Sequence, residues 1–116
     1  MPDGTIYAGM SPDSEKAMYT TPDDAPLTMK WEAAMQYAAN LDAYDHQDWR
    51  VPTNRELNVL FQNRAVIGRF DETGSVPASW YWSSTEDSNR AWNQRFSDGA
   101  QLWSGKFLVA SLRCVR

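Results

Sequence analysis

Short β-patterned stretches, then two helical stripes, then a region of period two predict an α+β fold. Three observations carry it. Residues 5–10 and 16–20 read as strands around a turn, residues 31–41 hold apolar side chains at helical spacing, and from Trp80 onward the pattern alternates up to an Asp98-Gly99 pair. At 116 residues the chain is expected to be one domain, 1–116, since a length of this kind gives one core burying roughly 65% of the unfolded surface.

Between the first two strands, Ser11-Pro12-Asp13-Ser14 places Pro at the second position of a turn. Two prolines in Thr21-Pro22-Asp23-Asp24-Ala25-Pro26 make the next stretch a loop. Thr28 is then expected to cap a helix whose stripe is Trp31, Ala34, Met35, Ala38 and Leu41. Polar residues 42–48 end it, and Val51 is held extended by Pro52. Thr53-Asn54-Arg55-Glu56 has the form of a capping box, with Pro52 and Leu57 at staple positions. The second helix is expected to run to about Asn63 and bury Leu57, Leu60 and Phe61, with loop from Gly68 onward. In the last region Trp92, Gln94 and Phe96 share one strand face against Asn93 and Arg95 on the other. Ser97-Asp98-Gly99 is the hairpin turn, and residues 111–116 read as a final strand.

Composition narrows function. Aromatics are 13% with six Trp, so the core is expected to be built on rings. The net charge is −4 and only three Lys are present, which argues against nucleic acid as partner. Eight Arg are better suited to planar, structural contacts, and Arg50 and Arg113 beside core aromatics are expected to hold buried polar contacts. No apolar run approaches the ~20 residues of a membrane span, and Met1-Pro2-Asp3-Gly4 has no signal-peptide pattern. Location is not encoded in any of this.

The inventory for catalysis is thin. His46 is the single histidine, there is no Gly-x-Ser-x-Gly elbow, and Ser83-Ser84 has no base in view. One His and the single cysteine, Cys114, do not make a zinc site or a disulfide. Asp42, Asp45 and Asp48 are acidic neighbours without EF-hand spacing, and a calcium site there stays open. Phosphate-binding glycine loops are absent. The expectation is therefore a non-enzyme with no cofactor, no metal and no catalytic residue, in which neither His46 nor Cys114 lines a deep pocket that joins it to carboxylates.

Residues 79–116 show a contrast that points to binding. Trp80, Tyr81, Trp82, Trp92, Phe96 and Val115 read as framework, whereas Asp87-Ser88-Asn89-Arg90 and Phe107-Leu108-Val109-Ala110 are chemically arbitrary beside them. The ordered segments Trp49-Arg50-Val51-Pro52-Thr53 with Glu56-Leu57, Tyr81-Trp82-Ser83-Ser84, Ala91-Trp92, Phe96-Ser97-Asp98-Gly99 and Arg113-Cys114-Val115-Arg116 resemble the C-type-lectin-like fold in its formylglycine-generating-enzyme-like branch. Within it the chain is similar to variable proteins of diversity-generating retroelements and to the C-terminal domains of bacterial collagen-like adhesins. The resemblance implies two helices packed on short antiparallel strands with long C-terminal loops, a bacterial or phage origin, and a protein or glycan ligand.

In such variable proteins, altered Asn codons of the AAC type yield a restricted residue set. Asp87, Ser88, Asn89, Arg90, Ala100, Leu102, Ser104, Gly105, Phe107, Leu108, Val109 and Ala110 all fall within that set, while Gln101, Trp103 and Lys106 do not and stand between them as fixed posts. The resemblance thus implies one contiguous exposed patch from two loops, with Trp103 as anchor and Asp87 and Arg90 as charged rim. The fixed-sequence alternative is a glycan-binding or adhesive domain. Calcium-dependent sugar binding is not carried over, because the Glu-Pro-Asn motif is absent and Trp92-Asn93 is followed by Gln94. Nor is the oxidase chemistry of the branch, which uses a cysteine pair.

Overall fold

The computed structural model describes residues 3–116; the part of the leader reading that falls on Met1 and Pro2 lies outside them. The architecture is α+β, with three helices and short antiparallel sheets. β1 (Ile6–Met10) and β2 (Ala17–Thr20) form the expected hairpin. The Ser11 hydroxyl organises its turn by accepting the N–H groups of Asp13 and Ser14, and it donates to Glu56 at 2.6 Å. One serine thus ties the hairpin to a helix 45 residues away.

Thr28 is not a helix cap. Met29–Lys30 instead form β3, paired antiparallel with β7 (Val109–Ala110), and this pairing holds the backbone extended up to the helix start. α1 (Trp31–Asn40) follows with Lys30 at its N-cap and no side-chain cap. Trp31, Ala34 and Ala38 are buried, with Met35 and Leu41 packed at the margin. α2 (Asn54–Gln62) has the reciprocal capping box of Thr53 and Glu56. It ends at Asn63, which starts a further short helix, α3 (Arg64–Ile67), where no helix was expected. The Asn63 side chain donates to the carbonyl of Ala8 at 2.9 Å, so a tertiary contact fixes this break.

β4 (Trp80–Glu86), β5 (Arg90–Arg95) and β6 (Gln101–Gly105) make the largest sheet in that order. Register sets Trp82 beside Asn93 and Leu102 on one face, and Tyr81 beside Gln94 and Gln101 on the other. The β4 side is packed on both faces. Trp82 joins Trp31, Trp49, Val51 and Leu112, and Tyr81 joins Leu57, Leu60, Phe70 and Phe96. A fully buried Trp contributes about 4–6 kcal/mol of gross burial at ~25 cal/mol/Å².

The last residues are not a regular strand. Ser111 bridges to Tyr81, and Val115 bridges to both Thr20 and Arg50, so the chain end is stitched through the core between separate elements. Leu112, Arg113, Cys114 and Val115 are buried there. Arg113 has no exposed surface and donates to Asp24 (2.9 Å) and the carbonyls of Thr21 (3.1 Å) and Gly68 (3.2 Å), with its guanidinium 4.0 Å from the centre of the Phe70 ring. Arg50 grips Glu56 with two hydrogen bonds, 2.5 and 2.8 Å. Arg113 holds the buried contacts expected of it, whereas Arg50 is itself exposed and only its partner Glu56 is buried.

Candidate functional site

β6 is an edge strand, and the side chains around it stand in water. Leu102 is 52% exposed, Trp103 40% and Phe107 75%, and Leu108 and Val109 are also exposed. Alternation along the strand sends neighbours to opposite faces. Leu102 and Ser104 point with Asn93 to one side; Trp103 points with Trp92 and Arg90 to the other.

The Leu102 side holds a groove of about 350 Å³. Its walls are Val76, Pro77, Trp80, Leu102, Leu108 and Val109, and its only polar side chains are Asn93 and Ser104. No ionisable side chain lines it. Asn93 is 5% exposed, and its side-chain oxygen has no hydrogen-bond partner among the described residues. Such an orphan costs about 1–3 kcal/mol.

On the other side Trp103 packs edge-on against Trp92, centroids 4.9 Å apart, and the Arg90 guanidinium lies 5.5 Å from the Trp103 ring centre. Asp87 holds this turn. One of its carboxylate oxygens accepts the N–H groups of Asn89 and Arg90 at 3.1 and 2.8 Å, and the other accepts two bonds from the Arg90 side chain. The Arg90 side chain first, then these amides, hold the Asp87 carboxyl below the usual range. Ser88 and Asn89 form the exposed tip. The Phe107 ring lies over Gly105, in the space where a Cβ would stand, so position 105 accepts a side chain only if Phe107 swings away.

Lys106 is a pin. Its ammonium meets Glu86 at 2.6 Å and sits 4.2 Å from the Trp31 ring centre. Its backbone accepts from Trp31 at 3.3 Å and donates to Asn89 at 3.0 Å. This fixed residue fastens the loop of 105–109 to both α1 and the β4–β5 turn.

Three of the sequence expectations for this region need correction. Ala110 is 1% exposed and belongs to the core, because pairing with Met29 turns it inward. Ala100 lies in the turn at the far end of β6 from Gly105, where Asp98 accepts its N–H at 3.0 Å. The remaining positions do not come from two loops forming one patch; several stand on strand β6, and the set wraps around its edge onto two faces. Reasoning from sequence missed Val76, Pro77, Trp80 and Asn93 as groove walls. The sequence places Asn93 on the strand face opposite Trp92, Gln94 and Phe96, and its polarity beside Trp92 was the available signal.

The other candidate residues are elsewhere. His46 lines an open depression, with Asp42, Asp45, Gln47, Asp48 and Arg116. Its ring nitrogen is held by Asp3 at 2.6 Å, Asp42 accepts from Gln47, and Asp48 accepts from Arg116. Among the described residues no three potential metal ligands converge. Cys114 also reaches a cleft wall, near Asp24 and Tyr37. Burial pushes its thiol up to about 12, which leaves it protonated and inert at neutral pH. Burial likewise raises the Asp24 carboxyl despite its bonds from Tyr81 and Arg113. Every Lys and Arg of residues 87–116 is paired with a carboxylate: Arg90 with Asp87, Arg95 with Asp98, Lys106 with Glu86, Arg113 with Asp24, and Arg116 with Asp48.

An aromatic α+β core that carries uncharged, water-exposed apolar side chains around one edge strand defines a domain of the ligand-binding kind. The chain belongs to the Lcl C-terminal domain family, which it matches over residues 11–116. No curated protein matches it. Among the described residues no helix is long and apolar enough to cross a membrane.

Proposed function

We propose that this protein is a non-catalytic ligand-binding module of the C-type-lectin-like fold, whose surface around β6 is diversified by a retroelement to change its partner. The observation that carries the reading is the group Leu102, Trp103, Phe107, Leu108 and Val109, exposed on a strand and loop pinned by buried residues. Exposed apolar clusters of this kind mark contact surfaces. The diversified set is Ser88, Asn89, Arg90, Leu102, Ser104, Gly105, Phe107, Leu108 and Val109, with Asp87 as a supporting turn residue and Trp103 as the constant anchor. Binding needs no cofactor; complementarity of shape and apolar area supplies the affinity.

The pairing of every cation in the tail weighs against an acidic glycan as partner, since each would have to leave its carboxylate first. The test is genetic. Sequencing the locus is expected to find a reverse-transcriptase gene beside this one and a near-copy of the segment encoding residues 87–109, with differences confined to the positions above. A locus without these, or strain differences spread evenly over the chain, overturns the diversification reading.

A further inference from the structure

The groove and the strand beside it share one chemistry. β6 has β5 on one side and, among the described residues, no strand on the other. Its sequence, Gln101-Leu102-Trp103-Ser104-Gly105, contains no charge and no proline, the devices that normally keep an open edge from pairing. The Gly105 carbonyl is already taken by the N–H of Leu108, so the free edge covers residues 101–104. The uncharged groove lies on the Leu102 face of the sheet, lined by Trp80 of β4, Asn93 of β5 and Leu102 of β6, so that β6 forms its rim.

We propose that the ligand of this chain is an extended, uncharged segment of another protein. It adds as a strand to the β6 edge and packs the aliphatic or aromatic side chains of one face against Leu102, at the rim of the groove. This rests on the reading of the β6 region as the ligand-binding surface, and it names the ligand class. Side chains of an added strand alternate, so those on the Leu102 side stand over the groove while the others stand beside Trp103. The groove has no ionisable wall to repay a buried charge, which excludes charged side chains and acidic sugars. A second copy of this chain is the competing occupant, since its own β6 is uncharged and extended, and sedimentation separates the two.

The probe is a capped hexapeptide of Ser and Thr with one central Leu, added to the ¹⁵N-labelled full chain and followed by NMR. Saturable shifts are expected in the backbone amides of residues 101–104 and in the side-chain amide of Asn93. Replacing the central Leu by Glu, or N-methylating the edge-facing peptide amides, is expected to weaken binding by at least about tenfold, equivalent to one lost well-formed contact of ~1.4 kcal/mol. The surface variant Leu102→Glu, which leaves the core untouched, should do the same while its Tm stays that of the parent.

No saturable shift, shifts elsewhere, or equal binding of the N-methylated peptide overturns the proposal. So does dimerisation of the chain through β6 in sedimentation. Peptide binding at a locus without a retroelement would leave this inference standing and remove the diversification reading. A varying locus with no peptide binding would do the reverse.

Discussion

Replacing Arg113 by Met isolates what the buried chain end contributes. The guanidinium is fully enclosed and bonds Asp24 and two backbone carbonyls, while its face covers Phe70. Met keeps most of the apolar stem, so the loss is mainly polar. Removing one member of a buried pair costs about 3–5 kcal/mol. Asp24 keeps the Tyr81 hydroxyl at 2.6 Å and its side chain is 23% exposed, so water relieves part of the orphaned charge. The expected loss is therefore near the lower end, about 3 kcal/mol, or roughly 12 °C in Tm for a chain of this size. Urea unfolding followed by Trp fluorescence measures it. Adding Asp24→Asn removes the unpaired charge and should recover ~1 kcal/mol or more, a coupling that independent sites do not show. A single Arg113→Met variant within ~1 kcal/mol of the parent would refute the claim that this residue clamps the core.

Three further outcomes follow from particular contacts. Gly105→Val should displace the Phe107 ring and change the near-ultraviolet circular dichroism with little loss of stability, whereas the same change made with Phe107→Ala should be silent in that signal. Burial pushes the Glu56 carboxyl up, but the hydrogen bonds of Arg50, Ser11 and the Thr53 amide outweigh it and hold it below 4.5. Its stabilisation is thus present above pH ~4.5 and lost as pH falls through the lower folded value, so Glu56→Gln should flatten the acid limb of the stability–pH curve. An unchanged acid limb would count against the Arg50–Glu56 pairing. Cys114, enclosed and with its thiol raised to about 12, should ignore a thiol reagent in the native state and react once urea unfolds the chain.

Local chemistry was legible where one short segment decides the structure. The Thr53 capping box, the α1 stripe and the Asp98-Gly99 turn all act within a few residues, and each is present. What failed depends on distant partners. Thr28 lost its helix because Met29 pairs with Ala110, 81 positions along the chain, and that same pairing buried a residue read as surface. The run 111–116 looks like a strand because it is apolar and extended, yet its bridges go to three different places. The site was half visible. Exposure of residues 102, 103 and 107–109 follows the contrast between frame and filler, but the groove does not. It is assembled from Val76 and Pro77 in a loop, Trp80 on β4 and Asn93 on β5, which only the sheet register brings together.

A diversified surface around β6 requires a frame that holds its shape while that surface changes. A library randomised together at Ser88, Asn89, Leu102, Ser104, Phe107, Leu108 and Val109, displayed on yeast and challenged with protease, measures this directly. Most members should resist digestion as the parent does, with a median Tm within about 5 °C of it, because exposed positions away from caps and core each change stability by only ~0.5 kcal/mol. If most members unfold, those side chains are holding the fold together, and a diversified binding surface is not what they form.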